Sequence, residues 1–400
     1  MDKQRFAVIR LQGDPILDSP YSPGISIRGF TEIGRASPDN EALSLHFDEI
    51  EATTGDMVEL RRDPKLLAMT PVIPTKLTEP VETTVGISAP GNIAWGVREV
   101  GAAASLYDGS GVKVAVLDTG IDAAHAAFAG VRLDQNDFTN TGVGDGNGHG
   151  THCAGTIFGR DVGGLRIGVA RGVGEAMIGK VLDAGGRGNS SMLFKAMSWA
   201  INGGANVISM SLGFDFPGYA QMLHQQQGMP VNMATSVALR AYTANLRAFD
   251  ALMQFARAQA PFTGGSIVLA ATGNESQHAM YPISASMPAA ADGVIAVGAV
   301  GSVPNGFQIA TFSNTDCLLV APGVDIESAR IGGGTVAYSG TSMACPHAAG
   351  VAALWWQALA AQGLPANAIN VIAKLNSNAD RARIVSYQPI LHGNGMAKAP

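Results

Sequence analysis

Short, uninterrupted apolar runs that each stop at a polar residue constrain this chain more than any other feature. VKVAVLD (112–118), NVISMS (206–211) and SIVLAATGN (266–274) lack the alternation of a strand with one wet face. They read instead as parallel strands buried on both faces. Ligands of open α/β sheets bind outside the carboxyl ends of the strands, so Asp118, Ser211 and Asn274 are delivered to one edge. Two Ala-rich helical stretches, HGTHCAGTIF and SMACPHAAGVAALWWQAL, begin at His149 and Ser342. Helix amino termini favour developing negative charge, which suits a nucleophile at Ser342.

Asp118, His149 and Ser342 are the residue types that make a serine reactive. A hydroxyl is a poor nucleophile at neutral pH, so an imidazole must take its proton and a carboxylate must hold that imidazole in the right tautomer. The order Asp, His, Ser is one of the few known chain orders of such a triad. Small residues flank it: Gly148, Gly150 and Thr151 around His149, and Gly340 and Thr341 before Ser342. They let a substrate backbone approach where a side chain would block it.

The segments DTGID, GHGTHCAGT, SIVLAATGN and SGTSMACPHAAG together resemble the subtilisin-like serine proteases. The resemblance implies an α/β, three-layer fold with a mostly parallel central sheet flanked by helices. It implies a serine endopeptidase working through an acyl-enzyme, with Asn274 donating to the oxyanion. By the same resemblance Ser211, Leu212 and Gly213 line one edge of the substrate cleft, Gly186, Arg187 and Gly188 the other, and Ala271, Thr272 and Gly273 a further wall. A peptide would bind as an added strand between the edges. These walls carry no acid, so no strong demand for Lys or Arg directly before the cleaved bond is expected. Arg187 stands where relatives often carry a small residue, and its cation would favour an acidic substrate side chain several residues upstream if it is not simply solvated.

From about Ala89 the chain reads as the catalytic domain (89–400); residues 1–88 differ in texture. RFAVIRLQ reads as a strand, followed by a polar linker and then DMVELRRDPKLLAMTPVIPTKLTEP, read as strand, short helical turn and extended tail limited by Pro71, Pro74 and Pro80. The resemblance implies a small α+β prodomain here, the chain's own intramolecular inhibitor and folding assistant in a self-processing zymogen, which position and size fit; the alternative is a permanent packing or partner-binding domain. After Gly213, residues 214–234 appear longer than the corresponding connection in relatives and are expected either to overhang the cleft or to form a surface loop. A helix follows, with Leu239, Tyr242, Leu246, Phe249, Met253 and Ala256 spaced to bury one stripe.

Catalysis of this type needs no cofactor. The resemblance raises a structural calcium, but Ala127 stands where an acidic ligand is expected. That leaves Asp161 with carbonyls of RDVGGLRIG, or Asp134, Asp137 and Asp145, as the oxygens on offer. His149, His152 and Cys153 are too close in sequence to converge on zinc. Three cysteines, Cys153, Cys317 and Cys345, make an odd count and read as small buried hydrophobes. The net charge of −6, with no Lys/Arg cluster, argues against a nucleic-acid partner, and no apolar run approaches the ~20 residues of a membrane span. The expected partner is a protein or peptide substrate.

Other classes fit less well. An α/β-hydrolase esterase needs Gly-x-Ser-x-Gly, whereas Ala344 follows Ser342 by two residues. A silent binding protein on this fold would not keep all four catalytic positions. Within the proteases the alternative is a dedicated enzyme maturing one peptide or protein. The compartment is undetermined: MDKQRFAVIRLQ has no apolar signal core, so the chain is either cytoplasmic or exported with a targeting segment not contained in it.

Overall fold

A computed structural model describes residues 3–12, 44–82 and 92–400. Its central sheet has eight strands. In spatial order they run Gly306–Ile309, Val294–Val303, Ile267–Ala271, Val207–Met210, Lys113–Asp118, Glu175–Lys180 and Arg132–Asp137, with Leu319–Pro322 also pairing on Val294–Val303. Every pair is parallel except the one made by Gly306–Ile309. The apolar runs are continuous because both faces are covered. In Lys113–Asp118, Val114 and Val116 enter the core layer holding helices His149–Phe158 and Thr341–Ala361. Ala115 and Leu117 enter the layer holding helices Ser190–Asn202 and Val231–Thr263. Period-two alternation is present, but both of its phases are dry.

Helix Thr341–Ala361 is buried on all sides from Thr341 to Val351 and beyond, which explains a sequence without a polar face. Gly350 permits its closest approach, since a Cβ there would lie 2.6 Å from Val169 Cβ. Pro346 removes the N–H that would donate to Ser342 O one turn back. The Ser211 hydroxyl at 3.1 Å and the Cys153 thiol at 3.4 Å donate to that oxygen instead.

The N-terminal region is a three-stranded antiparallel sheet, with Gln4–Gln12 between Ser44–Ala52 and Leu66–Pro71. The segment read as strand, then helical turn, is in fact the reverse: Thr54–Leu60 is helix and Leu66–Pro71 is strand. The helix starts there because Thr53 and Asp56 form a reciprocal capping box that satisfies its first free N–H groups. This sheet packs on the catalytic layers. Phe47 stacks on Phe194 at 6.0 Å, Asn202 donates to Leu45 O, and Asn245 donates to Pro71 O. The polar linker and the 88/89 boundary lie outside the described residues.

Residues 216–227 form a helix, not a loop, capped by Asp215. The long helix Val231–Thr263 buries Phe249, Met253 and Ala256 as its spacing predicts, but Leu239 is exposed. Tyr242 and Leu246 are half-buried against the core, so in the amino-terminal half of the stripe it is Leu239 that faces outward. Among the described residues no helix is long and apolar enough to cross a membrane.

Candidate active site

Asp118 ends its strand and His149 begins its helix, which brings His149 Nδ1 to 2.8 Å from Asp118 Oδ1 with both side chains buried. Thr119 N–H donates to the same carboxylate oxygen at 2.8 Å. The carboxylate accepts, so His149 Nδ1 donates to it and Nε2 is the nitrogen turned to the serine. Close backbone packing makes this approach possible: a Cβ on Gly150 would lie 2.2 Å from Gly120 O.

Ser342 occupies the second position of its helix and is fully buried. Its Oγ donates to Thr78 O at 2.9 Å, while His149 Nε2 has no hydrogen-bond partner among the described residues. Asn274 lies just beyond strand Ile267–Ala271. Its Oδ1 accepts from Thr341 N–H and Thr341 Oγ1, each at 2.8 Å. A backbone N–H can only donate, so the amide orientation is fixed and Nδ2 faces the cleft. There it donates to Glu79 O at 3.0 Å.

The chain's own segment Pro74–Leu77 lies in this cleft as a strand. It pairs antiparallel on one side with Leu212–Phe214 and on the other with Arg187–Asn189. Lys76 is opposite Gly213 and Arg187, and Leu77 N–H donates to Gly186 O at 2.8 Å. Gly186 has φ +71°, a conformation open to glycine, and a Cβ there would lie 2.9 Å from Leu77 Cβ. Beyond Thr78, Val81–Glu82 pairs with Thr335–Ser339, the strand leading into the Ser342 helix.

The structure thus brings Asp118, His149, Ser342 and Asn274 together, with Ser211, Leu212, Gly213, Gly186, Arg187 and Gly188 along the two edges. Ala271, Thr272 and Gly273 are buried behind Asn274, with Gly273 N–H on Thr341 Oγ1 and Thr272 O on Asn314. The Arg187 side chain is 80% exposed and pairs with Asp183 at 3.5 Å, beside Lys76 on the cleft strand. Sequence reasoning did not single out Thr78, Glu79 or Lys76; the only local signal was the extended, proline-bounded PTKLTEP.

Three of the carboxylates offered for calcium have partners of their own. Asp161 pairs with Arg171, and Asp134 is exposed. Asp137 accepts from Thr139 and Gly142. Burial opposes the Asp145 charge, but donors from Gly148, Thr151 and Asn147 hold its carboxyl below the usual range. Among the described residues, Asp118, His149 and Cys153 offer metal-ligating atoms within 4.8 Å of one another. Burial, seconded by the Asp118 charge, raises the Cys153 thiol, so it stays protonated and is a poor ligand. His152 turns away, its Nε2 donating to Ile326 O at 3.0 Å.

Residues 109–386 match the Subtilase family. Over 273 residues the chain is 34% identical to subtilisin-like protease 6 of Trichophyton verrucosum and 33% identical to the proteins of that name from Trichophyton rubrum and Arthroderma benhamiae. Each alignment covers 65% of this chain and 57% of the relative, so the chain spans little more than half the length of the curated relatives it matches.

Proposed function

This chain belongs to the subtilase family, and on that premise we propose that it is a serine endopeptidase made as a self-processing zymogen, whose first substrate is its own segment 74–79 and whose first cut is the Thr78–Glu79 bond. One observation carries the reading. The Ser342 hydroxyl lies 2.9 Å from the Thr78 carbonyl oxygen at the end of a strand paired on both sides, the arrangement of a bound peptide.

In the reaction, Ser342 Oγ turns from Thr78 O to His149 Nε2, gives up its proton there, and attacks the Thr78 carbonyl carbon. Asp118 holds Nδ1–H and stabilises the imidazolium. Asn274 Nδ2 moves from Glu79 O to the Thr78 oxyanion, joined by the Ser342 N–H. The C–N bond breaks, His149 returns the proton to the Glu79 amine, and water hydrolyses the ester to leave a Thr78 carboxylate. Ser342 on Thr78, Asn274 on the neighbouring carbonyl, and an unpartnered His149 Nε2 support a latent starting state. The N-terminal region up to Thr78 acts as the intramolecular inhibitor in this reading, leaving residues 79–88 on the catalytic chain, and other proteins or peptides follow the same path once the cleft opens.

A narrower role, the maturation of one protein or peptide, is favoured by helix Phe216–Gln227. With Tyr242 and Ala238, its Phe216 and Tyr219 close around Ile73 and Pro74 at the far end of the cleft. Digestion of a panel of unrelated unfolded proteins separates the two.

The test is intact mass of wild type and Ser342→Ala over time, each with a serine-directed phosphonate. Wild type should split after Thr78 and take up the probe, and the variant should do neither. A full-length, labelled wild type removes the zymogen reading, and absence of labelling after the N-terminal region is removed removes the peptidase. A cut after Glu79 moves the bond by one residue.

A further inference from the structure

The cleft strand carries one charged side chain between Ile73 and Thr78, and its surroundings are specific. Ile73, Thr75 and Leu77 are buried, whereas Lys76, on the opposite phase of the strand, is partly exposed. Its ammonium lies between two carboxylates from different walls, 3.6 Å from Asp215 Oδ1 and 3.8 Å from Glu275 Oε1. Resting on the peptidase reading, we infer that Asp215 and Glu275 form a subsite selecting a basic side chain two residues ahead of the residue whose carbonyl is attacked.

Neither carboxylate is placed by Lys76. Asp215 follows the edge strand Leu212–Phe214 and is held as the cap of helix Phe216–Gln227, accepting from Gly218 N–H at 3.0 Å. Glu275 follows Asn274 and is held by Asn314, whose Nδ2 donates to Glu275 Oε2 at 2.8 Å while its Oδ1 accepts from Glu275 N–H at 3.2 Å. The acidic pair therefore keeps its place when strand 74–77 leaves, and an incoming cation meets a site formed in advance. The subsite has the opposite sign to the one Arg187 suggested; Arg187 is the cross-strand partner of Lys76, and its own cation pairs with Asp183 at 3.5 Å.

The experiment uses internally quenched peptides copying residues 73–80 with Lys, Gln or Glu at the position of Lys76. The enzyme is the wild-type protein, its active sites counted with the phosphonate. Two half-exposed ion pairs give roughly a three- to tenfold preference in kcat/KM for Lys over Gln, a further drop for Glu, and a ratio that shrinks toward one as salt rises. Asp215→Asn with Glu275→Gln should level the three peptides. Asn caps a helix as well as Asp does, and Gln still accepts from Asn314. Equal turnover of the Lys and Gln peptides by wild type overturns the subsite and leaves the peptidase standing. No turnover of any peptide, together with no phosphonate uptake after the N-terminal region is removed, overturns the peptidase reading itself.

Discussion

Mild acid will destabilise this protein before its carboxylates titrate, because two histidines are buried in neutral form. Burial, reinforced by nearby His149, pushes His152 down to about 3, and burial pushes His347 down to about 4. His152 donates through Nε2 to Ile326 O, its Nδ1 has no partner among the described residues, and its ring lies 4.7 Å from that of Tyr338. His347 donates through Nδ1 to Met343 O at 2.8 Å, and its Nε2 faces Gly96, where a Cβ would lie 2.1 Å away. A second proton on either ring would be a buried, unpaired charge. In the unfolded chain the same imidazoles titrate near 6.5. Between about 6.5 and the folded values the unfolded state binds more protons, so stability is full above that window and falls as pH drops through it. At pH 5.5 each histidine costs about 1.4 kcal/mol, and the slope of each approaches about 1.4 kcal/mol per pH unit. Asp108, Asp137 and Asp145, held low by their hydrogen bonds against the opposing effect of burial, lose their contribution only below about pH 4. The assay is urea unfolding of the Ser342→Ala chain from pH 5 to 7.5, in that background alone and with His347→Asn or His152→Gln, which keep the donors to Met343 O and Ile326 O. Each added change should reduce the slope between pH 5 and 6 by about 1.4 kcal/mol per pH unit. His392, also held low by burial, is common to all three proteins and cancels. Parallel curves would refute the reasoning.

Asn274→Asp keeps the acceptor for Thr341 but loses the donor, so kcat should fall about 100- to 1000-fold, a magnitude carried over from subtilisin itself, with little change in melting temperature. A rate near wild type would remove the donor role. Gly150→Ala drives a Cβ against Gly120 O at 2.2 Å and should cost at least about 2–3 kcal/mol, seen as a lower urea midpoint; an unmoved midpoint contradicts the close approach. Arg166, buried, donates to Ala102 O, Gly168 O and Val169 O, and Arg160 to Phe158 O, Arg171 O and Val173 O, so guanidinium groups serve the carbonyls around the segment offered for calcium. Excess chelator should leave the melting temperature unchanged, while Arg166→Met costs about 3 kcal/mol; a chelator-sensitive melt would instead demand a metal.

The catalytic layers were legible because their determinants are local. A strand dry on both faces has to be a continuous apolar run, as Lys113–Asp118 is, and the residues at its end announce themselves by type and order. The N-terminal region was less legible. EIEATTGDMVEL offers weak patterns of both periods, and it is the capping pair Thr53 and Asp56 that decides for helix. That PTKL becomes the middle strand between Arg187–Asn189 and Leu212–Phe214 had no local signal, since its partners lie more than a hundred residues away. Nor could spacing alone show that Leu239 faces outward, because a periodic stripe marks a face without saying what covers it.

Pro346 has a consequence for how the molecule assembles. The Ser342 oxygen it releases is claimed by Ser211, 131 residues away in the chain, and Cys153, 189 residues away. A junction of that kind closes only after very long loops have closed, and loops so distant are among the slowest parts of a fold to form. Until then Ser342 sits in a helix with neither base nor donor beside it. On the proposed reading, hydrolytic competence is in this sense a late folding event.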